Sequence, residues 1–165
     1  MRELFEFIFE KKDDDQIKND VAKTVFFQDF SRKELTIVLN QTTTRSFKTG
    51  ERVFFEGDPG QAVYIILSGA VQITKNAKKP IVLATLTKGM FFGELSLVDT
   101  AIRSASASII EDATLLCFFK HDLDHLIKDY PRIGNKLLFR LAHILAQRLR
   151  NMNSRMIAEK DRKSK

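Results

Sequence analysis

The chain of 165 residues is long enough for one domain with a core of ordinary size, since 44% of it is hydrophobic, with fourteen Phe and no Trp. No apolar run approaches the length of a bilayer span, and the single cysteine, Cys117, forms no intrachain disulfide, so a cytoplasmic protein with no membrane association is expected. The net charge of +6 invites a nucleic-acid partner, but much of it is concentrated at the end, from Arg148 through Arg150, Arg155, Lys160, Arg162, Lys163 and Lys165. That distribution reads as a solvated helix face and tail.

In chain order, Leu4, Phe5, Ile8 and Phe9 share one face of a possible helix over residues 1 to 12, a face that asks for a partner on its own domain, on a second subunit or on an effector. Asp13 to Asp15 offer N-caps for a second helix carrying Ile17, Val21 and Val25, and Ser31 with Glu34 fits a capping box opening Arg32 to Leu39. From Thr43 the pattern changes to short runs of Val, Ile, Phe and Thr between glycine or charged turns. Eight strands are expected: 44–47, 52–55, 62–68, 70–76, 81–86, 91–92, 103–109 and 114–119. Asp58-Pro59-Gly60 signals a turn and Lys75 to Lys79 a polar hairpin loop. Cys117 lies in an apolar run and reads as core. His121 and His125 share a helix face, but no further ligand accompanies them, and a helix start explains the polar residues, so no metal is expected. Tyr130-Pro131 ends that helix before a long final one, about Arg132 to Glu159. Its Leu138, Ala142, Leu145, Leu149, Met152 and Met156 recur at alternating spacings of four and three, a narrow seam that suits a partner helix in a homodimer.

The stretch Gly89 to Ser106 concentrates the chemistry. After Phe91 and Phe92, Gly93 permits a close backbone approach, and Glu94-Leu95-Ser96-Leu97 can begin a helical turn whose free N–H groups favour an anion. Arg103, followed by small Ser104 and Ala105, can fold over the same centre with a charge-assisted fork for phosphate oxygens. A carboxylate beside a phosphate makes sense where the ligand also carries a hydroxyl donor, as a ribose does.

Phe92-Gly-Glu-Leu-Ser-Leu97 followed by Arg103-Ser-Ala105 resembles the phosphate-binding cassette of cyclic nucleotide-binding domains, as found in catabolite-activator-type regulators and in regulatory subunits of cyclic-AMP-dependent protein kinase. A second match lies upstream, in Gly50-x-x-Val53-x-x-x-Gly57-Asp58, Tyr64-Ile-Ile66 and Gly69-Ala-Val71-x-Ile73, and the likeness covers roughly residues 25 to 155. It implies a mainly β fold with flanking helices, a jelly-roll-like double-stranded β-helix barrel with N-terminal helices and a long C-terminal helix. The implied division is a helical extension over 1–24, the β-roll domain over 25–131, and a dimer or lid helix with a basic tail over 132–165.

The resemblance also implies roles. Arg103 would hold the exocyclic oxygens of a cyclic phosphate, Glu94 would accept from the ribose 2′-OH, and the backbone around Gly93, Leu95, Ser96 and Ala105 would complete the cradle, with Ser104 adding a hydroxyl. Ile73 and Leu83 match strand positions lining sugar and base; Arg148 matches a position that reaches towards Glu94; Met152 and Asn153 match helix positions that meet the base. The expected ligand is cyclic AMP rather than cyclic GMP, bound by a regulatory module that repositions its C-terminal helix to act on an effector and has no chemistry of its own. Two other readings are a remnant of a transcription regulator, without specific DNA binding, and a ligand-free interaction scaffold.

Overall fold

The computed structural model describes residues 15–76, 78–99 and 101–163. The aromatic face expected over residues 1 to 12 and the N-caps Asp13 and Asp14 lie outside them, as do the side chains of Met156, Arg155 and Lys160 to Lys165.

Helix α1 covers 15–22 and puts Val21 in the core, but it stops short of Val25, which is 40% exposed. Thr24 donates its hydroxyl to the Val21 carbonyl at 2.7 Å, and the turn that follows buries Phe26, Phe27 and Phe30 in place of Val25. These rings meet edge to face, with centroids 5.0 and 5.4 Å apart. Helix α2, Arg32–Leu39, has the expected capping box: Ser31 Oγ accepts from Glu34 N and Glu34 Oε2 accepts from Ser31 N.

The β region is one six-stranded antiparallel sheet, ordered β1 (Thr43–Phe47), β6 (Ser106–Phe119), β3 (Ala62–Lys75), β4 (Ile81–Thr87), with β2 (Arg52–Phe54) on β6 and β5 (Phe91–Phe92) on β3. It curls into an open, jelly-roll-like β-roll. Six strands replace the eight expected because the breaks at Gly69 and at Glu111-Asp112 are bends within two 14-residue strands rather than ends. Gly69, at φ +80°, lets β3 pass across a bulge against Asp112 and Ala113, where a Cβ would collide with backbone, and the β3–β6 register shifts on both sides of it. The expected strand start at Arg103 moves to Ser106, because Arg103 bonds through its backbone to Asp58 and Gly57 of the turn ahead of β3.

Period-two alternation divides the core in two. Val63, Ile65, Leu116 and Phe118 face the helices, where they meet Phe26, Leu35, Leu123, Leu137 and Leu141; Tyr64, Ile66, Leu115 and Cys117 face the interior of the roll with Val71, Phe92 and Ile109. Burial pushes the Cys117 thiol up to about 11, as suits an inert core residue. Helix α3, Lys120–Asp129, begins where Asp122 accepts the Phe119 N–H at 3.0 Å, and α4, Pro131–Lys163, follows the break at Tyr130. The first half of α4 packs through Ile133, Leu137, Leu141 and Ile144, and is tied to α2 by Lys136 on Glu34 at 2.9 Å and to the turn ahead of α2 by Arg140 on Asp29 at 3.0 Å. Its second half leaves the core, with Leu149 and Met152 about 60% exposed. No described helix is long and apolar enough to cross a membrane.

Candidate functional site

Pairing of β5 with β3 sets Phe91 beside Ile65 and Phe92 beside Tyr64, so alternation sends Phe91 to the helical core and Phe92 into the roll, stacked on Tyr64 at 5.2 Å. Gly93 then turns the chain at φ +77°, and Glu94–Leu97 form a single 3-10 turn whose first N–H groups have no partner within the turn. A Cβ on Gly93 would lie 2.7 Å from Arg103 Nη1, so the glycine is required by conformation and by space. The turn buries Glu94, Ser96 and Leu97 and leaves Leu95 half exposed; Leu97 enters the helical core.

Arg103 is 6% exposed. Its Nη1 donates to Gly93 O at 3.2 Å and to Ser96 Oγ at 2.6 Å, and its Nη2 donates to Ala62 O at 2.9 Å. Nε is buried without a hydrogen-bond partner among the described residues, and none of the ion pairs among them involves Arg103. Burial lowers its pKa from the ordinary value, against the opposing influence of Tyr64, Asp58 and Glu94. A guanidinium remains charged under these conditions. The site thus holds a buried cation with a donor to spare, an arrangement that an anion would complete.

Glu94, 5% exposed, does not pair with Arg103. Its ion pair is with Arg148 of α4, whose Nη1 donates to Oε1, while the Arg148 guanidinium lies over the Phe91 ring, 4.9 Å from its centroid. Phe91 in turn packs edge to face on Phe26 at 5.2 Å, so α4 meets the cassette through a contact braced from the N-terminal core.

These groups surround a cavity of about 380 Å³. Of the residues to which the resemblance gave roles, Gly93, Glu94, Leu95, Ser96, Arg103, Ser104, Ala105, Ile73 and Arg148 line it. Leu83, Met152 and Asn153 do not. The β3–β4 register shifts between Ile73 and Thr74, pairing Ile73 with Ala84 and Thr74 with Val82; Leu83 falls at the shift and is 54% exposed, while Ala84 and Leu86 face the cavity in its place. Met152 and Asn153 sit about one turn beyond Arg148, on the part of α4 that has left the domain, and both are exposed. Phe54 was missed by the sequence reading and also lines the cavity, under Arg103. The pairing of β2 with β6 carries it there, whereas alternation along β4 puts Ala84 and Leu86 on one face and only the register against β3 turns that face to the cavity.

The family model for the cyclic nucleotide-binding domain matches residues 44–130. The Cyclic AMP receptor protein of Thermus thermophilus is 37% identical over 126 residues, covering 75% of this chain and 56% of that protein. The CRP-like cAMP-activated global transcriptional regulator of Mycobacterium tuberculosis is 32% identical over 138 residues, covering 82% and 60%. The chain therefore spans less than two thirds of the length of these relatives. Among solved structures, a cyclic nucleotide-binding domain from Methylobacillus flagellatus KT aligns with a TM-score of 0.78 at 27% identity, over 88% of this chain and 85% of that one. Cassette, β-roll and matched relatives agree: the chain belongs to the cyclic nucleotide-binding domain family.

Proposed function

We propose that the protein is a cyclic nucleotide receptor module that prefers cyclic AMP and answers binding by moving α4. The carrying observation is Arg103, a buried guanidinium with no ion pair among the described residues and an unpartnered Nε, at the wall of a cavity within the ~300–1,000 Å³ range of small-molecule sites. The Arg103 guanidinium suits the oxygens of a cyclic phosphate, with the first amides of the Glu94–Leu97 turn completing the cradle. Glu94 accepts from the ribose 2′-OH, Ser104 adds a hydroxyl, and Ile73, Ala84 and Leu86 form the apolar wall for sugar and base. The preference for cyclic AMP is supported by the Thermus and Mycobacterium relatives, both named for it; Asn153, whose amide both donates and accepts, can serve adenine N6 or guanine O6 once α4 closes and does not decide between them.

The coupling follows from Arg148. The carboxylate that would receive the ribose is the one to which α4 is bonded, so occupancy and helix position share a residue. Such couplings are worth about 1–3 kcal/mol. In this reading 25–131 is the receptor domain and 132–165 the responding helix, which forms a parallel homodimer contact and passes the change to an effector. Ala142, Leu149 and Met152 of the seam are exposed in the single chain, which supports that contact; Leu138 and Leu145 are partly packed against the chain's own core.

Calorimetric titration of the nucleotide-free protein with cyclic AMP and cyclic GMP tests the proposal. Tighter binding of cyclic AMP is expected; a ten-fold preference for cyclic GMP overturns the base assignment, and no binding of either overturns the function. A second reading, DNA binding, is favoured by the name of the Mycobacterium relative. A DNA-shift assay at two salt concentrations separates them, since this chain is expected to give only weak, steeply salt-dependent shifts.

A further inference from the structure

We infer that Phe54 is a positioning residue for the Arg103 guanidinium, an inference that rests on reading the cavity as the nucleotide site. Arg103 Cζ lies 4.1 Å from the centroid of the Phe54 ring, and Tyr64 approaches the same carbon at 5.7 Å. Phe54 is itself braced, its centroid 5.8 Å from Tyr64 and 5.9 Å from Phe92, which stack on each other. The hydrogen bonds to Gly93, Ser96 and Ala62 hold the guanidinium by its edge. Bonds in the plane of the group limit its tilt less than contact with its face does, and the ring supplies that contact.

The choice of an aromatic partner also has an electrostatic reason. A carboxylate placed against Arg103 would neutralise it and take up the donors an anionic ligand needs. A ring face offsets part of the cost of burying the charge without occupying any hydrogen. Phe54 therefore keeps Arg103 buried, oriented and still available.

The test is a set of four variants followed by NMR titration with cyclic AMP, which measures affinities into the millimolar range: Phe54→Leu, Phe54→Tyr, Arg103→Gln and Phe54→Leu with Arg103→Gln. Thermal unfolding of each confirms the fold. Phe54→Leu is expected to weaken binding about three- to thirty-fold, the range of a cation–π contact, and Phe54→Tyr to restore it. In the Arg103→Gln background the same Leu substitution should change affinity by less than two-fold, because the ring acts through the arginine. A loss that persists undiminished in that background, or no loss in the first, overturns the positioning role alone. A parent that does not bind cyclic AMP overturns the ligand reading and this inference with it. The ligand-free protein gives a separate readout: the Arg103 Hε resonance should move when Phe54 becomes Leu, and an unmoved resonance also overturns the inference.

Discussion

Arg103→Ala separates a binding residue from a structural one, because the two effects have different sizes here. On the binding side, a buried charge partner is removed from an anionic ligand, a loss of about 2–5 kcal/mol, or roughly 30- to 5,000-fold in affinity. On the folding side, Gly93 O, Ser96 Oγ and Ala62 O each lose a donor worth about 1 kcal/mol. Against that, a desolvated cation with no ion pair among the described residues is removed, and Gly93 and Ser96 line a cavity that water can enter. These contributions oppose one another, leaving a change within about 2 kcal/mol of either sign, or about 8 °C or less in Tm. Calorimetric titration with cyclic AMP gives the first quantity and a thermal melt without nucleotide the second. A variant that binds within three-fold of the parent refutes the cassette assignment. One that loses binding only because it unfolds shows Arg103 to be structural.

Glu94→Gln should cost less than Arg103→Ala, because an amide oxygen still accepts, and it should narrow the affinity gap between cyclic AMP and its 2′-deoxy analogue by about 1 kcal/mol; an unchanged gap in paired titrations places the ribose elsewhere. Leu149→Asp with Met152→Asp puts like charges on the exposed part of the seam and spares Leu145, which packs partly against the core. Analytical ultracentrifugation should show a dimeric parent and a monomeric variant that still binds cyclic AMP, and a monomeric parent removes the dimer. Asp112 accepts from Lys48 Nζ and from the Thr49 N–H and hydroxyl, which hold its carboxyl down at about 2. Since the folded value lies below the unfolded one, the stabilisation is present above about pH 4 and is lost as the pH falls through about 2. Denaturant midpoints from pH 5 to 2 should therefore fall less for Asp112→Asn than for the parent, and parallel profiles would count against the clip.

Features written in neighbouring residues were legible from the order of residues alone. The capping box at Ser31 and Glu34 needs only one turn of helix, and the order Phe92-Gly93-Glu94 with Arg103 needs only one strand end and one loop, so the cassette and its glycine turn were legible before any fold was known. The all-β pattern and the burial of Cys117 followed from runs of apolar residues in the same way.

Relations between distant segments depend instead on how the strands pair and the helices pack. Gly69 reads as a turn in sequence, yet pairing with β6 carries β3 straight past it across a bulge, because the energy of a long ladder outweighs a local break. A one-residue shift against β3 places Leu83 outside the cavity and Ala84 inside, a consequence of the two-residue side-chain period that no count along β4 alone could fix. The acceptors around Arg103 come from Ala62, Gly93 and Ser96, and the ring under it comes from β2. Family resemblance pointed Arg148 towards Glu94, but that this pair forms while Arg103 stays without an ion pair among the described residues depends on how α4 packs over Phe91. Local sequence sets the propensity of each segment, whereas the partner of a buried charge is chosen by whichever elements the core brings against it.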